Sequence, residues 1–225
     1  MDLIYKTIFT KRKKLAITVE RDSSIVVHAP LGTSEEKIRD ILESKKLWLY
    51  EKTRHSQKYK TSPQAPGKEL VSGESMPYLG KNYQLEVVDA EFENIQFSLK
   101  FIVSKAKDTD PRALFKKWYV NKANEKISAR VKEHAKKLGV EYNEIKISDV
   151  KYRWGSCTPN NNLIFNWRLI KAPMYVIDYI IVHELAHLIE ANHTPIFWTI
   201  VKTNVPHYEK SKAWLKEHGD FLEQE

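Results

Sequence analysis

With one cysteine in 225 residues, Cys157, the chain cannot close an internal disulfide. Its fold therefore owes nothing to oxidation, and a reducing, cytoplasmic setting is expected. Seven glycines and nine prolines are too few for a collagen-like or low-complexity chain. No apolar run approaches the roughly 18 to 20 residues of a spanning helix. The most apolar late stretch, Val176 to Leu188, is interrupted by Asp178, His183, Glu184 and His187. The opening MDLIYKTIFTKRKK carries charge on both sides of a short apolar stretch and has no small-residue cleavage site, so neither a secretory signal nor a membrane partner is expected.

What is present is an ordinary globular composition, 42% hydrophobic and 29% charged, enough for a packed core. The formal net charge of +8 favours an anionic partner such as nucleic acid, a nucleotide or an acidic protein. Many of the basic residues, among them Lys11, Arg12, Lys13, Lys14, Lys136 and Lys137, fall where solvated turns or helix faces are expected.

Periodicity changes along the chain. The first thirty residues alternate as strands, with Ile4, Lys6 and Ile8 against Tyr5, Thr7 and Phe9, then Leu15, Ile17 and Val19, then Ile25 and Val27. A small antiparallel meander is the simplest reading. Thr33 and Glu36 have capping-box spacing, and Ile38, Ile41, Leu42, Lys45, Trp48 and Leu49 share one side of a covering helix that runs to about residue 57. Residues 57–75 read as an exposed connection, and strands follow to about residue 105. From Pro111 the apolar spacing predicts a long helix stopped by Gly139, with Lys116, Lys117, Lys122, Lys126, Arg130 and Lys132 as a basic outer stripe. That stripe in 111–138 is either solvated or a contact for a polyanion. A hairpin is expected where RWGSC, the turn Thr158 to Asn162 and the alternation Leu163 to Ile170 follow one another. A helix then starts near Pro173 and ends where Asn192 takes a left-handed conformation; Thr194 and Pro195 open another, and a last one stops near Gly219. The fold class is α+β: a β-rich N-terminal region, 1–105, with one covering helix, and a largely helical C-terminal domain, 106–225, with a β-hairpin.

The chemistry concentrates at His183-Glu184-Leu185-Ala186-His187. Residues four apart on a helix project from one face, one turn apart, so two imidazoles can share an ion. Glu184 lies about 100° further round, where it reaches a water beside the ion and not the ion itself. A catalytic zinc takes three protein ligands and keeps a fourth position open. His193, just past the expected helix end, is the candidate third ligand. One zinc per chain is expected, with Glu184 as general base.

The set YLGKNYQLEV, RWGSC with NWRLIKAP, and HELAH with NHTPIFW resembles the YgjP-like metallopeptidase family of zincins along nearly the whole chain. The resemblance implies zinc held by His183, His187 and His193, with Glu184 as base. It also implies similarity to SprT-like and Wss1-like proteases, which act on proteins attached to DNA. Proteolysis of a peptide or protein substrate is the leading expectation, with the substrate lying as an added strand along residues 163–169 and Arg153, Trp154 or Arg168 touching it. A competing reading makes Trp154 and Trp167 core residues and gives the arginines only local carboxylate partners. Two other functions compete as well. One is a metal-dependent hydrolase of nucleoside triphosphate phosphoanhydrides, although no phosphate-binding Gly loop is visible. The other is a DNA-associated protease module, although no DNA-reading motif is present. Cys157 reads as structural, with a nucleophile or a zinc-occupying latency switch as the sharper alternatives. Nothing in the sequence speaks to oligomeric state.

Overall fold

The computed structural model describes residues 4–12, 14–19, 24–49, 69–90, 92–105, 110–150 and 153–223. Contacts divide the chain into two compact units, Met1–Ala65 and Pro66–Glu225. The boundary expected at 105/106 falls inside the second unit. Most of the connection expected at 57–75, and the covering helix beyond residue 49, lie outside the described residues.

In the first unit, β1 (Tyr5–Thr10), β2 (Ala16–Val19) and β3 (Ile25–Pro30) form a sheet in the order β1-β3-β2. An antiparallel meander would place β1 beside β2; instead β1 runs parallel to β3, Tyr5 opposite Ile25, and only β2 is antiparallel. Ile25, Val27 and Ala29 are all buried, so β3 takes the centre, where both backbone edges are paired away from water. Helix α1 (Glu35–Ser44) buries Ile38 and Leu42. Its cap is Ser34, which accepts the Lys37 N–H, one residue later than expected; the Thr33 hydroxyl instead donates to Pro30 O. With Leu49 these residues make a small separate core.

The second unit opens with β4 (Ser75–Tyr78), β5 (Lys81–Val88), β6 (Gln96–Phe97) and β7 (Phe101–Ser104), ordered β4-β5-β7-β6. Helix α2 (Pro111–Leu138) is capped by Asp110 and closed by Gly139 at φ +67°. It buries Phe115, Tyr119, Ala123, Ile127, Val131, His134 and Ala135, one seam at helical spacing. A second sheet follows: β8 (Ile145–Ser148), β9 (Gly155–Cys157) and β10 (Leu163–Asn166), in the order β8-β10-β9. The expected hairpin is present, with β9 antiparallel to β10. However, β10 is the central strand, parallel to β8 on its other side. Residues 163–166 thus offer no free edge to a substrate, and the outer edges of this sheet belong to β8 and β9.

The strand expected through Ile170 ends at Asn166, whose side chain accepts the Arg168 N–H and starts a 3-10 helix, Trp167–Lys171. Helix α3 (Met174–Ala186) ends earlier than expected, in turns closed by Leu188 N–H to Leu185 O and Ile189 N–H to Ala186 O. Asn192 is not left-handed: among the described non-glycine residues only Leu70, Leu79 and Asn161 have positive φ. Thr194 does cap α4 (Pro195–Asn204), accepting the Phe197 N–H. Helix α5 (Tyr208–Glu223) runs through Gly219, which is buried on the face that carries Ser211, Leu215 and Leu222. Among the described residues no helix is long and apolar enough to cross a membrane.

Candidate metal centre

Helix α3 is apolar on nearly every side. Val176, Ile177, Ile181, Val182, Leu185 and Ala186 are fully buried, which fixes the helix in rotation and leaves His183 and His187 as its polar outlet. On another side Asp178 accepts from Arg130 and contacts His134, both on α2, with Nε of Arg130 at 2.7 Å and Nε2 of His134 at 3.2 Å. His187 is the C-cap of α3 but keeps right-handed helical dihedrals, φ −65° and ψ −18°. Its ring therefore still stands one turn from that of His183. The chain then turns back, and Thr194 starts α4 immediately after His193.

The result is a cluster: one ligand atom from each of His183, His187 and His193 lies within 4.8 Å of the other two. The Nε2 atoms of His183 and His193 are 3.1 Å apart. Two nitrogens sharing a tetrahedral zinc at about 2.0–2.1 Å would stand about 3.3 Å apart, so the cluster needs only slight opening to take an ion. The donor chemistry agrees. Nδ1 of His187 is 3.1 Å from the Ala191 carbonyl, an acceptor only, so Nδ1 carries the proton and the Nε2 lone pair is left for a metal. Burial, then the neighbouring His187 and His193, push His183 down to about 3, which keeps its ring neutral. Nδ1 of His183 is buried without a hydrogen-bond partner among the described residues.

Packing orients these rings. Phe197, fully buried, lies 4.9, 4.6 and 4.7 Å from the rings of His183, His187 and His193, centroid to centroid. Trp198 stacks on His193 at 5.7 Å with 25° between planes, and Tyr208 stacks on Trp198. These contacts are not legible as chemistry in the sequence; the only trace is that Phe197 and Trp198 follow the Thr194-Pro195 cap.

Glu184 is 6% exposed. Burial pushes its carboxyl up to about 7, opposed by the backbone N–H of Cys157, which donates to it, and by the charge of Arg153. Gly155 faces it so closely that a Cβ there would lie 2.6 Å from Oε1. Such a carboxyl is poised to give and take a proton near neutrality.

The expected substrate contacts separate. Arg153 is exposed and acts on Glu184 through its charge. Trp154 is half-buried against the main core. Arg168 pairs with Asp149 and lies 4.4 Å over the Trp167 ring. Cys157 sits in β9, and burial, then the Glu184 charge, push its thiol up, the opposite of an activated nucleophile. On the basic stripe, Lys116 pairs with Asp149, Lys122 and Lys126 with Glu125, and Arg130 with Asp178 and Glu133. Much of its charge is met within the protein.

Comparison with known proteins gives one family, described as YgjP-like, metallopeptidase domain, which matches residues 13–218. No curated protein matches the chain. Among solved structures, the crystal structure of the metallopeptidase zymogen of Pyrococcus abyssi abylysin is similar, at 18% identity and a TM-score of 0.35, over 40% of this chain and 93% of that one. The family match spans both sheets of the second unit, Glu184 and all three clustered histidines, and the chain belongs to the YgjP-like metallopeptidase family.

Proposed function

We propose that this chain is a zinc-dependent peptidase in which His183, His187 and His193 hold one ion and Glu184 is the general base. The observation that carries this reading is a converging set of three imidazoles, with His183 kept neutral by burial, beside a buried carboxyl pushed up to about 7. Three imidazoles suit a borderline-soft ion and leave one position open. A bound zinc supplies Lewis-acid polarisation of a carbonyl and lowers the pKa of water.

Glu184 does the proton work. Near pH 7 its carboxylate takes a proton from the attacking water, and the resulting acid, still of comparable pKa, delivers it to the leaving amine. Substrate lies as an added strand along the open edge of β9. Thr158 N–H donates to Asn162 O and Asn166 N–H to Trp154 O, both at 2.9 Å, so in the β9–β10 register the backbone groups of Gly155 and Cys157 point away from β10. Glu184 takes the Cys157 N–H, which leaves both backbone groups of Gly155 and the Cys157 carbonyl for the substrate. Arg153 and Trp154, directly before that strand, are assigned to substrate contact; Arg168, already held by Asp149 and Trp167, is the weaker candidate. The single half-buried cysteine suits a reducing compartment such as the cytoplasm.

The test pairs zinc-loaded protein with denatured casein and, separately, with nucleoside triphosphates, using Glu184→Gln as the blank. Casein cleavage that is lost in the variant is the expected result. Intact peptide bonds with phosphate release would overturn the peptidase reading.

A further inference from the structure

Within the reading that Glu184 is the base, we infer that Gly155 is a positioning residue: its missing side chain is the space that lets the Glu184 carboxylate reach the outward N–H of Cys157.

Three observations meet here. First, the backbone of Gly155 does not call for glycine. Among the described residues the glycines at positive φ are Gly32, Gly73, Gly80 and Gly139, and Gly155 is not one of them. Alanine would fit its dihedrals in an edge strand, where glycine is ordinarily unfavourable. Second, the three nearest atoms that a side chain would meet all belong to one residue. A Cβ on Gly155 would lie 2.6 Å from Oε1, 2.7 Å from Cγ and 3.0 Å from Cδ of Glu184. These are side-chain atoms, so alanine would be accommodated by moving the carboxylate and not by rebuilding the fold. Third, the direction of the strand matters. Cys157 has the same parity as Gly155, so its N–H leaves β9 on the open side, where Glu184 accepts it. A pleated strand brings alternate residues to the same side, and the two features form one seat: bare Cα of Gly155 beneath the carboxylate, N–H of Cys157 at its oxygen.

The seat has a consequence for rate. A base displaced by about 1 Å loses roughly 100-fold, while binding of substrate along the strand and of metal by the three histidines is untouched. Gly155→Ala should therefore lower kcat on casein about 100-fold with KM nearly constant and zinc content still about one per chain.

A merely structural glycine could also lower rate, so the decisive readout is amide exchange at Cys157 in full-length protein, measured without metal or substrate. Exchange should be slow in the native chain and should accelerate both in Gly155→Ala and in Glu184→Ala. Unchanged Cys157 exchange in either variant, or full kcat in Gly155→Ala, overturns the inference. Should Gly155→Ala fail to fold, the double variant Gly155→Ala/Glu184→Ala must fold, because the colliding atoms are gone; failure of both overturns it. The exchange result stands even where casein is not cleaved, which separates this inference from the peptidase reading.

Discussion

Phe197 lies 4.6 Å from His187, ring centroid to ring centroid, and touches the other two clustered histidines at nearly the same distance. Nδ1 of His187 is held by the Ala191 carbonyl, Nδ1 of His183 is buried without a hydrogen-bond partner among the described residues, and packing against this phenyl ring helps to orient all three. Phe197→Ala should cost about 3–5 kcal/mol of stability by leaving a cavity. Phe197→Leu, a smaller loss, should still weaken zinc affinity about 10–100-fold, as loss of ligand support does elsewhere. Competition titration with a chelator measures the affinity; unchanged affinity in Phe197→Leu would remove the ring from any orienting role.

Zinc content separates ligands from the base. His183→Ala and His193→Ala should each bring bound zinc well below one per chain, whereas Glu184→Gln should keep it and abolish turnover. Full zinc content in His193→Ala would take that residue out of the site.

Metal-free protein should show the cost of burying Glu184. Its carboxyl rises from 4.5 to about 7 on folding, so between those values the native state holds a proton that the unfolded state releases, and stability falls as pH rises through this window. A displacement of that size is worth about 3 kcal/mol. Glu184→Gln carries no such charge. The variant should match the native chain near pH 4.5 and exceed it by up to about 3 kcal/mol above pH 7. The opposite trend of His183, whose stabilising neutrality is lost to protonation of the unfolded state as pH falls below about 6.5, is common to both proteins and cancels. Denaturant unfolding in chelator across pH 4.5–8 reads the difference.

Gly80 and Gly139 should respond differently to alanine. Both have positive φ, +78° and +67°, but a Cβ at Gly80 would lie 2.6 Å from Cγ and 2.8 Å from Cα of Pro173, while at Gly139 nothing lies within 4 Å. Gly80 also donates to Lys171 O at 2.9 Å, and Leu79 to Ile170 O at 3.0 Å, joining the β4–β5 turn to the segment that leads into α3. Gly139→Ala should cost about 1–2 kcal/mol, the left-handed penalty alone. Gly80→Ala adds a collision with backbone and should cost several kcal/mol more than its counterpart. Equal thermal shifts in the two variants would contradict this.

The sequence by itself determined what is local. Spacing of His183 and His187 placed two imidazoles on one helical face, Gly139 closed α2, and Thr194 with Pro195 opened α4, because caps, turns and i,i+4 geometry depend on neighbours a few bonds away. The α+β class followed from the change in periodicity. The tertiary structure decided what depends on partners distant in the chain. It put β3 between β1 and β2, and β10 between β8 and β9, which paired residues 163–166 on both sides and left Gly155–Cys157 on an outer edge. It ended β10 at Asn166, whose buried side chain donates to Val150 O, although the apolar pattern continued. It also brought Gly155 under Glu184 and Phe197 under three histidines. Alternation and helical spacing report only that a residue is buried. Which residue it is buried against is set by how sheets and helices stack, and in the second unit that stacking surrounds Glu184.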